Sequence, residues 1–277
     1  EKGVEISAGE FSGFFNALQT VRQLIRKDNK KYSMPYCRIK DAPAFPVRGL
    51  MLDVGRNYMS VPFLKSVVRR LSHYKINVLH LHLSDDPGWR VEVNKYPELT
   101  VETSFWPTRQ PGKFYTQEDI KSICDFCDSL NIRVIPEIDM PGHSAAFRKA
   151  IGKDMQTPEG MQVLKEALDE IIPLFKDSLF HIGSDEVHFK MKEFMPEMIR
   201  YVRSKGKQVV VWYPGYAPDS NAVRMCWGEY EAGYSLDKSA PYIDCNGFYM
   251  DWMDSQGGVL QTFFQYPCEV PQAGGKA

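Results

Sequence analysis

The sequence predicts an α/β protein folded as a (β/α)₈ barrel of the TIM type. From residue 47 onward, apolar runs of strand length alternate with amphipathic helical segments, a pattern that predicts parallel strands flanked by helices. Polar residues follow these runs at the same end of successive units, as they do at the catalytic face of such a barrel. No glycine-rich phosphate-binding turn follows the first strand, which argues against a dinucleotide-binding fold.

Composition and charge narrow the class of partner. The chain has 277 residues, of which 43% are hydrophobic and 25% charged, as in ordinary globular proteins. A formal net charge of −1 gives no reason to expect nucleic acid or an anionic membrane as a partner. No apolar run approaches the roughly 20 residues that a membrane-spanning helix needs.

The N-terminal segment follows a different pattern from the rest. We expect residues 1–42 to be the tail of a preceding α+β domain with its linker, and residues 43–277 to form the barrel. Residues 3–8 predict a strand and residues 10–27 an amphipathic helix, followed by a proline-marked linker over residues 39–49. One strand and one helix bury little surface by themselves.

The barrel elements are predicted in order. Strands are expected at residues 47–54, 76–86, 132–139, 178–186, 208–213, 222–227 and 246–251. Helices are expected at residues 61–74, 116–131, 161–175 and 192–206. Their end signals are Pro62 near a first turn, Thr116 as an N-cap and Gly206 as a C-cap. An eighth strand lies either at residues 258–264 or beyond Ala277, so we expect the last unit to be incomplete or irregular.

The six cysteines are too sparse in a chain of this length to indicate a disulfide framework. Cys124 and Cys127 form a C-x-x-C pair inside a helical pattern. A redox pair would open a helix directly after a strand. We therefore expect buried thiols here.

Acids, bases and aromatic residues gather at the predicted strand ends. They are Asp53, Arg56, Asp85, Asp86, Glu137, Asp139, His143, Asp185, Glu186, His188, Trp212, Trp227, Tyr249 and Asp251. A single acid at such a position often caps the next helix. Capping does not explain the tryptophans, whose rings are normally buried unless something stacks on them.

Six stretches in this region resemble the catalytic domain of glycoside hydrolase family 20, the β-N-acetylhexosaminidases. They are RGLMLDVGRNY (48–58), NVLHLHLSDDPGWRVE (77–92), IRVIPEIDMPGHS (132–144), HIGSDEV (181–187), VVVWY (209–213) and YMD (249–251). Each is weak alone, but all six occur in the family's order. Residues 3–25 also resemble the end of the small α+β domain that precedes this barrel in the family.

The resemblance implies a retaining exo-β-N-acetylhexosaminidase that cleaves terminal N-acetylhexosamine from oligosaccharides or glycoconjugates without a cofactor. Asp185 would hold the acetamido N–H of the sugar, and Glu186 would act as general acid and base. His143 would tune that acid and would itself be linked to Asp85. The resemblance also implies an exported (periplasmic, cell-surface or secreted) or lysosome-like location.

The positions of Asp185 and Glu186 also bear on the mechanism. Most glycosidases place two carboxyl groups on opposite sides of the scissile bond. Adjacent residues at a strand end point to opposite faces of the sheet, so these two are poorly placed to flank one anomeric carbon. Their spacing suits the substrate-assisted exception, in which the acetamido group of the sugar is the nucleophile.

The resemblance assigns the remaining residues to sugar binding. Arg56 matches the arginine that binds hydroxyls of the terminal sugar, a task suited to the guanidinium fork. Trp212 and Trp227 match walls of the pocket around the acetamido methyl and the ring. Tyr249 and Asp251 match a Tyr-x-Asp pair, and alternation places both on one face of a strand.

Two departures and two alternatives remain open. Ser184 stands where the family usually has glycine, and the family's late tryptophan has no clear match before Ala277. An inactive glycan-binding barrel is therefore one alternative. The other is a metal-dependent hydrolase that uses His80, His82 and Asp85, although the later strands show no further ligand set at a recognisable spacing.

Overall fold

A computed structural model describes residues 3–216, 222–227 and 241–245 of the chain. The helices are α1 (Phe11–Leu24), α2 (Val61–His73), α3 (Gln117–Ser129), α4 (Ala145–Ile151), α5 (Pro158–Ile171) and α6 (Phe194–Ser204). The strands are β1 (Arg26–Asp28), β2 (Lys31–Ser33), β3 (Gly49–Asp53), β4 (Val78–His82), β5 (Ser84–Asp85), β6 (Gly88–Trp89), β7 (Arg133–Glu137), β8 (Leu179–His181), β9 (Gln208–Tyr213), β10 (Val223–Cys226) and β11 (Tyr242–Asp244).

Seven strands form one curled parallel sheet in the order β3-β4-β7-β8-β9-β10-β11. Each strand pairs with the next parallel strand along the chain, which is the connectivity of a (β/α) barrel. The strand at Tyr242–Asp244 was not predicted. The strand expected at residues 246–251 and the candidate eighth strand at residues 258–264 lie outside the described residues.

The sequence signals at Thr116 and Gly206 mark helix ends in the structure, whereas α5, predicted over residues 161–175, begins and ends earlier, at Pro158 and Ile171. Thr116 caps α3 in a capping box with Asp119, because the side chain of each accepts a hydrogen bond from the backbone N–H of the other. Gly206 follows α6 with φ at +79°, the left-handed conformation of a helix C-terminus. Helix α4 was not predicted. No helix among the described residues combines the length and apolar character needed to cross a bilayer.

The two faces of the sheet are packed differently. On β4, Leu79 and Leu81 face outward into the large core shared with the helices. The opposite face forms the inside of the curled sheet, where a smaller apolar layer includes Val78, Ile135 and Val210. Alternation therefore carries the intervening β4 residues, including His80, into the interior of the barrel.

The predicted buried thiols are confirmed. Cys124 and Cys127 lie on the inner side of α3 as free, buried cysteines. Burial raises the pKa of both thiols to about 12. Their thiolates, which are the reactive and metal-binding forms, are therefore disfavoured.

The N-terminal segment keeps its predicted helix, but the strand expected at residues 3–8 is wrong. These residues adopt no regular structure, since no neighbouring strand among the described residues supplies hydrogen bonds to them. Instead β1 and β2 pair as a short antiparallel hairpin. Gln19 is the one buried residue of α1. The domain division after residue 42 stays a prediction.

Candidate active site

The predicted site residues gather at the carboxyl ends of the parallel strands. Three of them reach solvent on the loops after β3, β7 and β8: Arg56, His143 and Glu186, with side-chain exposures of 41%, 16% and 58%. We call these three residues the rim. Asp85 and Asp185 lie just beneath it, Asp85 fully buried and Asp185 largely so.

Arg56 is held between two carboxylates. Its Nη1 lies 2.6 Å from Asp53 Oδ2, and its Nη2 lies 2.8 Å from Asp85 Oδ2. Burial would lower the pKa of Arg56, but the hydrogen bond that Arg56 donates to Asp53 and the charge of Asp85 outweigh burial and raise the pKa. The guanidinium is therefore charged, fixed in direction and still open to solvent.

His143 stands between the two acids that the sequence analysis linked to it. Its Nδ1 is 3.8 Å from Asp85 Oδ2, and its Nε2 is 3.4 Å from Glu186 Oε2. These distances exceed those of tight hydrogen bonds, as is common for catalytic contacts without substrate. The backbone N–H of Asp86 donates to Asp85 Oδ1 at 2.6 Å and fixes that carboxylate. The structure thus brings Asp85, His143 and Glu186 into one row.

Asp185 and Glu186 do not lie on a strand, so strand alternation does not decide their directions. Strand β8 ends at His181, and a turn follows in which Gly183, Ser184 and Glu186 have φ values of +65°, +92° and +48°. This left-handed backbone replaces the predicted strand end. It leaves Asp185 largely buried and Glu186 exposed.

The turn depends on a glycine and strains a serine. A Cβ on Gly183 would lie 1.7 Å from Asp139 Oδ1 and 2.8 Å from Asp139 Cα. The next N–H, that of Ser184, donates to the same Asp139 Oδ1 at 3.2 Å. Ser184 is fully buried, and its Oγ has no hydrogen-bond partner among the described residues. A non-glycine residue in such a conformation costs about 1–3 kcal/mol.

Asp185 has a raised pKa and a carboxylate oxygen that accepts no hydrogen bond from the described residues. Burial raises the pKa of Asp185 to about 6, with a further increase from the charge of Glu137 and an opposing effect of His143. Its Oδ1 is buried and accepts no hydrogen bond from the described part of the chain. Such an oxygen is stabilised by a ligand that brings its own N–H or O–H donor.

A second group of polar residues lies beneath the site, inside the barrel. We call His80, His82, Glu137, His181 and Trp212 the interior polar cluster; all five are buried. Glu137 is at its centre: Oε2 lies 2.8 Å from both His80 Nε2 and His82 Nδ1, and Oε1 accepts the Trp212 indole N–H at 2.6 Å. These two imidazole contacts are close but do not have hydrogen-bond geometry.

The sequence analysis placed Glu137 among the acids at the strand ends but gave it no role. It used His80 and His82 only in the metal alternative, and it did not consider His181. A signal was present, because polar residues at alternate positions of otherwise buried strands must share one face. The sequence alone did not show that the pairing of β4, β7 and β8 brings these positions together.

Charged groups within the barrel shift one another's pKa values. Burial alone would raise the pKa of Glu137, but His82 and His181 outweigh it and hold the pKa well below its usual range. For Asp139, burial and then the charges of Glu137 and Asp185 raise the pKa well above its usual range. Burial lowers the pKa of His181 to about 3, which keeps this imidazole neutral.

The aromatic residues predicted to line the pocket are only partly described. The Trp212 ring lies within the barrel, 4.4 Å from the His181 ring centroid, and has 7% of its surface exposed. Trp227 is half-buried, and its indole N–H donates to the Pro214 carbonyl at 3.2 Å. Tyr249 and Asp251 lie outside the described residues, so their assignment to the site stays a prediction.

The interior also bears on the metal alternative. Contrary to the sequence expectation, later strands do add potential ligands, since Glu137 and His181 approach His80 closely enough for three-ligand coordination. The contacts of 2.8 Å at Glu137 Oε2 are shorter than the separation of about 3.3 Å between ligands that each lie about 2.0 Å from a tetrahedral zinc ion. Shared protons suit these distances better than a metal does.

Comparison with known proteins agrees with the fold and the arrangement of the site. Residues 45–193 match the model for "Glycosyl hydrolase family 20, catalytic domain". The chain is 33% identical to a β-hexosaminidase of Vibrio furnissii over 76% of its own length and 44% of that protein. It is 31% identical to a β-hexosaminidase of Akkermansia muciniphila over 86% of its length and 59% of that protein.

Solved structures give the same picture and confirm the predicted fold class. A β-N-acetylhexosaminidase of Bacteroides fragilis superposes with a TM-score of 0.77 at 28% identity, covering 87% of this chain and 58% of that one. A Vibrio harveyi family 20 exo-β-N-acetylglucosaminidase, solved with N-acetylglucosamine, superposes with a TM-score of 0.72 at 30% identity, covering 79% and 44%. The chain therefore spans about half the length of the relatives it matches.

Proposed function

The chain belongs to glycosyl hydrolase family 20, and from this premise we propose that it is a retaining exo-β-N-acetylhexosaminidase that uses the acetamido group of its substrate as the nucleophile. The relatives described above bear β-hexosaminidase names, which supports this activity. The proposed substrate is a glycan that ends in N-acetylglucosamine or N-acetylgalactosamine. The proposed location is the exported or lysosome-like setting that the resemblance implies.

One observation carries the proposal: two adjacent acids occupy different environments. Asp185 is largely buried and has an acceptor oxygen that no described residue uses. Glu186 is exposed and contacts His143. A buried carboxylate that accepts an N–H and an exposed acid that meets the leaving group are the two protein groups that substrate assistance requires.

In the first step, the carbonyl oxygen of the 2-acetamido group attacks C1 of the sugar. Asp185 accepts the acetamido N–H and stabilises the positive charge that develops on the amide. Glu186 gives its proton to the glycosidic oxygen, the C1–O bond breaks with its electron pair, and the aglycone departs as an alcohol. The sugar is left as a cyclic oxazolinium.

In the second step, the Glu186 carboxylate removes a proton from water while the water oxygen attacks C1. The bond between C1 and the acetamido oxygen breaks, and the amide is restored. Two inversions at C1 give net retention. In this scheme, Arg56 binds sugar hydroxyls, and Trp212, Trp227, Tyr249 and Asp251 complete the pocket, all as predicted roles.

The test compares chromogenic aryl β-glycosides of N-acetylglucosamine, N-acetylgalactosamine and glucose. We expect hydrolysis of one or both acetamido sugars. The glucoside should be at least about 1000-fold slower, because it lacks an internal nucleophile. A thiazoline mimic of the cyclised intermediate should inhibit, as transition-state-like molecules do.

Equal rates on the glucoside and the N-acetylglucosaminide would rule out the acetamido nucleophile. Binding of N-acetylglucosamine with no turnover of any of the three substrates would instead identify a glycan-binding barrel that lacks activity.

A further inference from the structure

His82 occupies an unusual position between two carboxylates. Its Nε2 lies 2.9 Å from Asp85 Oδ2, and its Nδ1 lies 2.8 Å from Glu137 Oε2. The ring is 2% exposed. A neutral imidazole has one nitrogen with a lone pair, and at 2.8 Å that lone pair would repel a carboxylate oxygen. When both nitrogens carry protons, the ring is positively charged and both carboxylate contacts are attractive.

A protonated Glu137 does not account for the contacts equally well. One carboxylic proton serves a single acceptor, whereas Oε2 faces both His80 Nε2 and His82 Nδ1 at 2.8 Å. The other oxygen accepts the Trp212 N–H. An ionised Glu137 that lies against a positively charged His82 ring fits this arrangement, as do the lowered pKa of Glu137 and the raised pKa of His82.

The groups that face His82 from the surrounding elements favour its charged form. Glu137 on β7 and Asp85 on β5 contact the ring, and Asp53 at the end of β3 adds a more distant negative charge. His181 on β8 is neutral and Asp139 follows β7. Burial opposes the charge, but the carboxylates outweigh it.

The contact with Asp85 connects this buried ring to the rim. Asp85 Oδ2 receives His82 Nε2 at 2.9 Å and Arg56 Nη2 at 2.8 Å, and it faces His143 Nδ1 at 3.8 Å. His143 in turn faces Glu186. A continuous row of polar contacts therefore runs from Glu137 in the barrel interior to the proposed general acid.

We propose that His82 is a permanently protonated positioning residue which, with Glu137 as its buried counter-ion, fixes the Asp85 carboxylate toward His143 and so supports proton donation by Glu186. The link to Glu186 rests on the function proposed above. The protonation of His82 does not, because it concerns the folded protein alone. The two parts are tested separately.

The first experiment measures protonation directly. The protein has six histidines, and ¹⁵N labelling of their imidazoles allows each to be followed by NMR between about pH 5 and pH 9. We expect one imidazole, absent from the spectrum of His82→Gln, to keep both nitrogens protonated above pH 8, where a histidine of ordinary pKa near 6.5 is neutral. A neutral or metal-bound His82 at pH 7 would overturn the proposal.

The second experiment asks whether His82 acts through the acid. Loss of positioning should lower kcat/KM, which reports the first step, up to about 100-fold for a substrate with a poor leaving group. It should change kcat/KM much less for a dinitrophenyl glycoside, because dinitrophenolate leaves without a proton. Equal losses on both substrates would indicate general structural damage and contradict the link to Glu186. His73→Gln, the same change at the end of α2, should leave both rates unaltered.

Two further measures keep the outcomes separable. If His82→Gln fails to fold, Glu137→Asp keeps the negative charge but draws it back from the ring. The labelled His82 should then lose a proton at lower pH than in the unaltered protein, and an unchanged titration would count against the ion pair. If the unaltered protein hydrolyses nothing, the proposed function fails, while the NMR result still decides the state of His82.

Discussion

The interior polar cluster and the rim use the same residue types in different environments. In the interior, the Glu137 carboxylate is sealed from water and contacts His80, His82 and Trp212 within 2.8 Å. On the rim, His143 stands 3.4 Å from the exposed Glu186. Charges with close partners in a buried site exchange protons reluctantly. Looser contacts at the surface leave the acid free to give and take a proton.

Asp185 and Glu186 show the contrast within two residues. The positive-φ turn after β8 leaves the first partly buried, with its Oδ1 out of contact with solvent, and the second exposed. Burial, more than residue type, therefore decides whether a carboxyl group here is suited to accept the acetamido N–H or to exchange a proton. Four predictions test this contrast, beginning with the largest expected effect.

Glu186→Gln should lower kcat/KM by about 10²- to 10⁴-fold on a substrate with a poor leaving group, because no proton reaches the departing oxygen. The first step with a dinitrophenyl glycoside should be slowed far less, because dinitrophenolate leaves without a proton. The fold should be unchanged, since Glu186 is an exposed rim residue. Steady-state kinetics with the two substrates test this, and equal rates for variant and unaltered protein would remove Glu186 from the mechanism.

Gly183→Ala should lower the free energy of unfolding by about 3 kcal/mol or more, because the new Cβ would overlap Asp139 within the buried turn. Gly152→Ala is the matched control. Gly152 also has a positive φ, +71°, but has open space around it. Its replacement by alanine should therefore lower the free energy of unfolding by only about 1 kcal/mol. Chemical denaturation measures both. Equal decreases in the free energy of unfolding would mean that the positive φ, and not overlap with Asp139, sets the cost of a side chain at residue 183.

Asp185 should produce the acidic limb of the pH profile. It must be ionised to stabilise the positive intermediate, and burial raises its pKa to about 6. As pH falls below about 6, the ionised fraction, and with it kcat/KM, should drop about tenfold per pH unit. The profile of Asp185→Asn should be lower throughout and should lack this limb. An identical limb in the variant would assign it to another group.

Ser184→Gly should raise the free energy of unfolding by about 1 kcal/mol. Glycine relieves the strain at φ +92° and removes a buried hydroxyl without a partner among the described residues. The greater entropy of glycine in the unfolded chain offsets part of this gain. Thermal unfolding measures the change. A decrease in stability would show that the hydroxyl has a partner in the folded protein.

Much of the fold followed from local patterns. The period of the apolar residues predicted five of the six helices and six of the seven parallel strands among the described residues, to within a few residues at most ends. The short helix α4 was missed, and the Thr116 capping box and Gly206 marked two helix ends. Strand β11 was missed because three residues carry too little periodic signal. The strand at residues 3–8 was wrong because strand propensity requires a partner strand.

The sequence by itself determined the parallel barrel, the family resemblance and the presence of Arg56, Asp85, His143, Asp185 and Glu186 at the strand ends. These follow from periodicity and local order along the chain. Only the tertiary structure decided which acid is buried, and that Glu137, His82 and His181 meet beneath the site. Burial and charge pairing depend on residues far apart in sequence, so the environment that sets each acid's chemistry exists only once the strands are assembled.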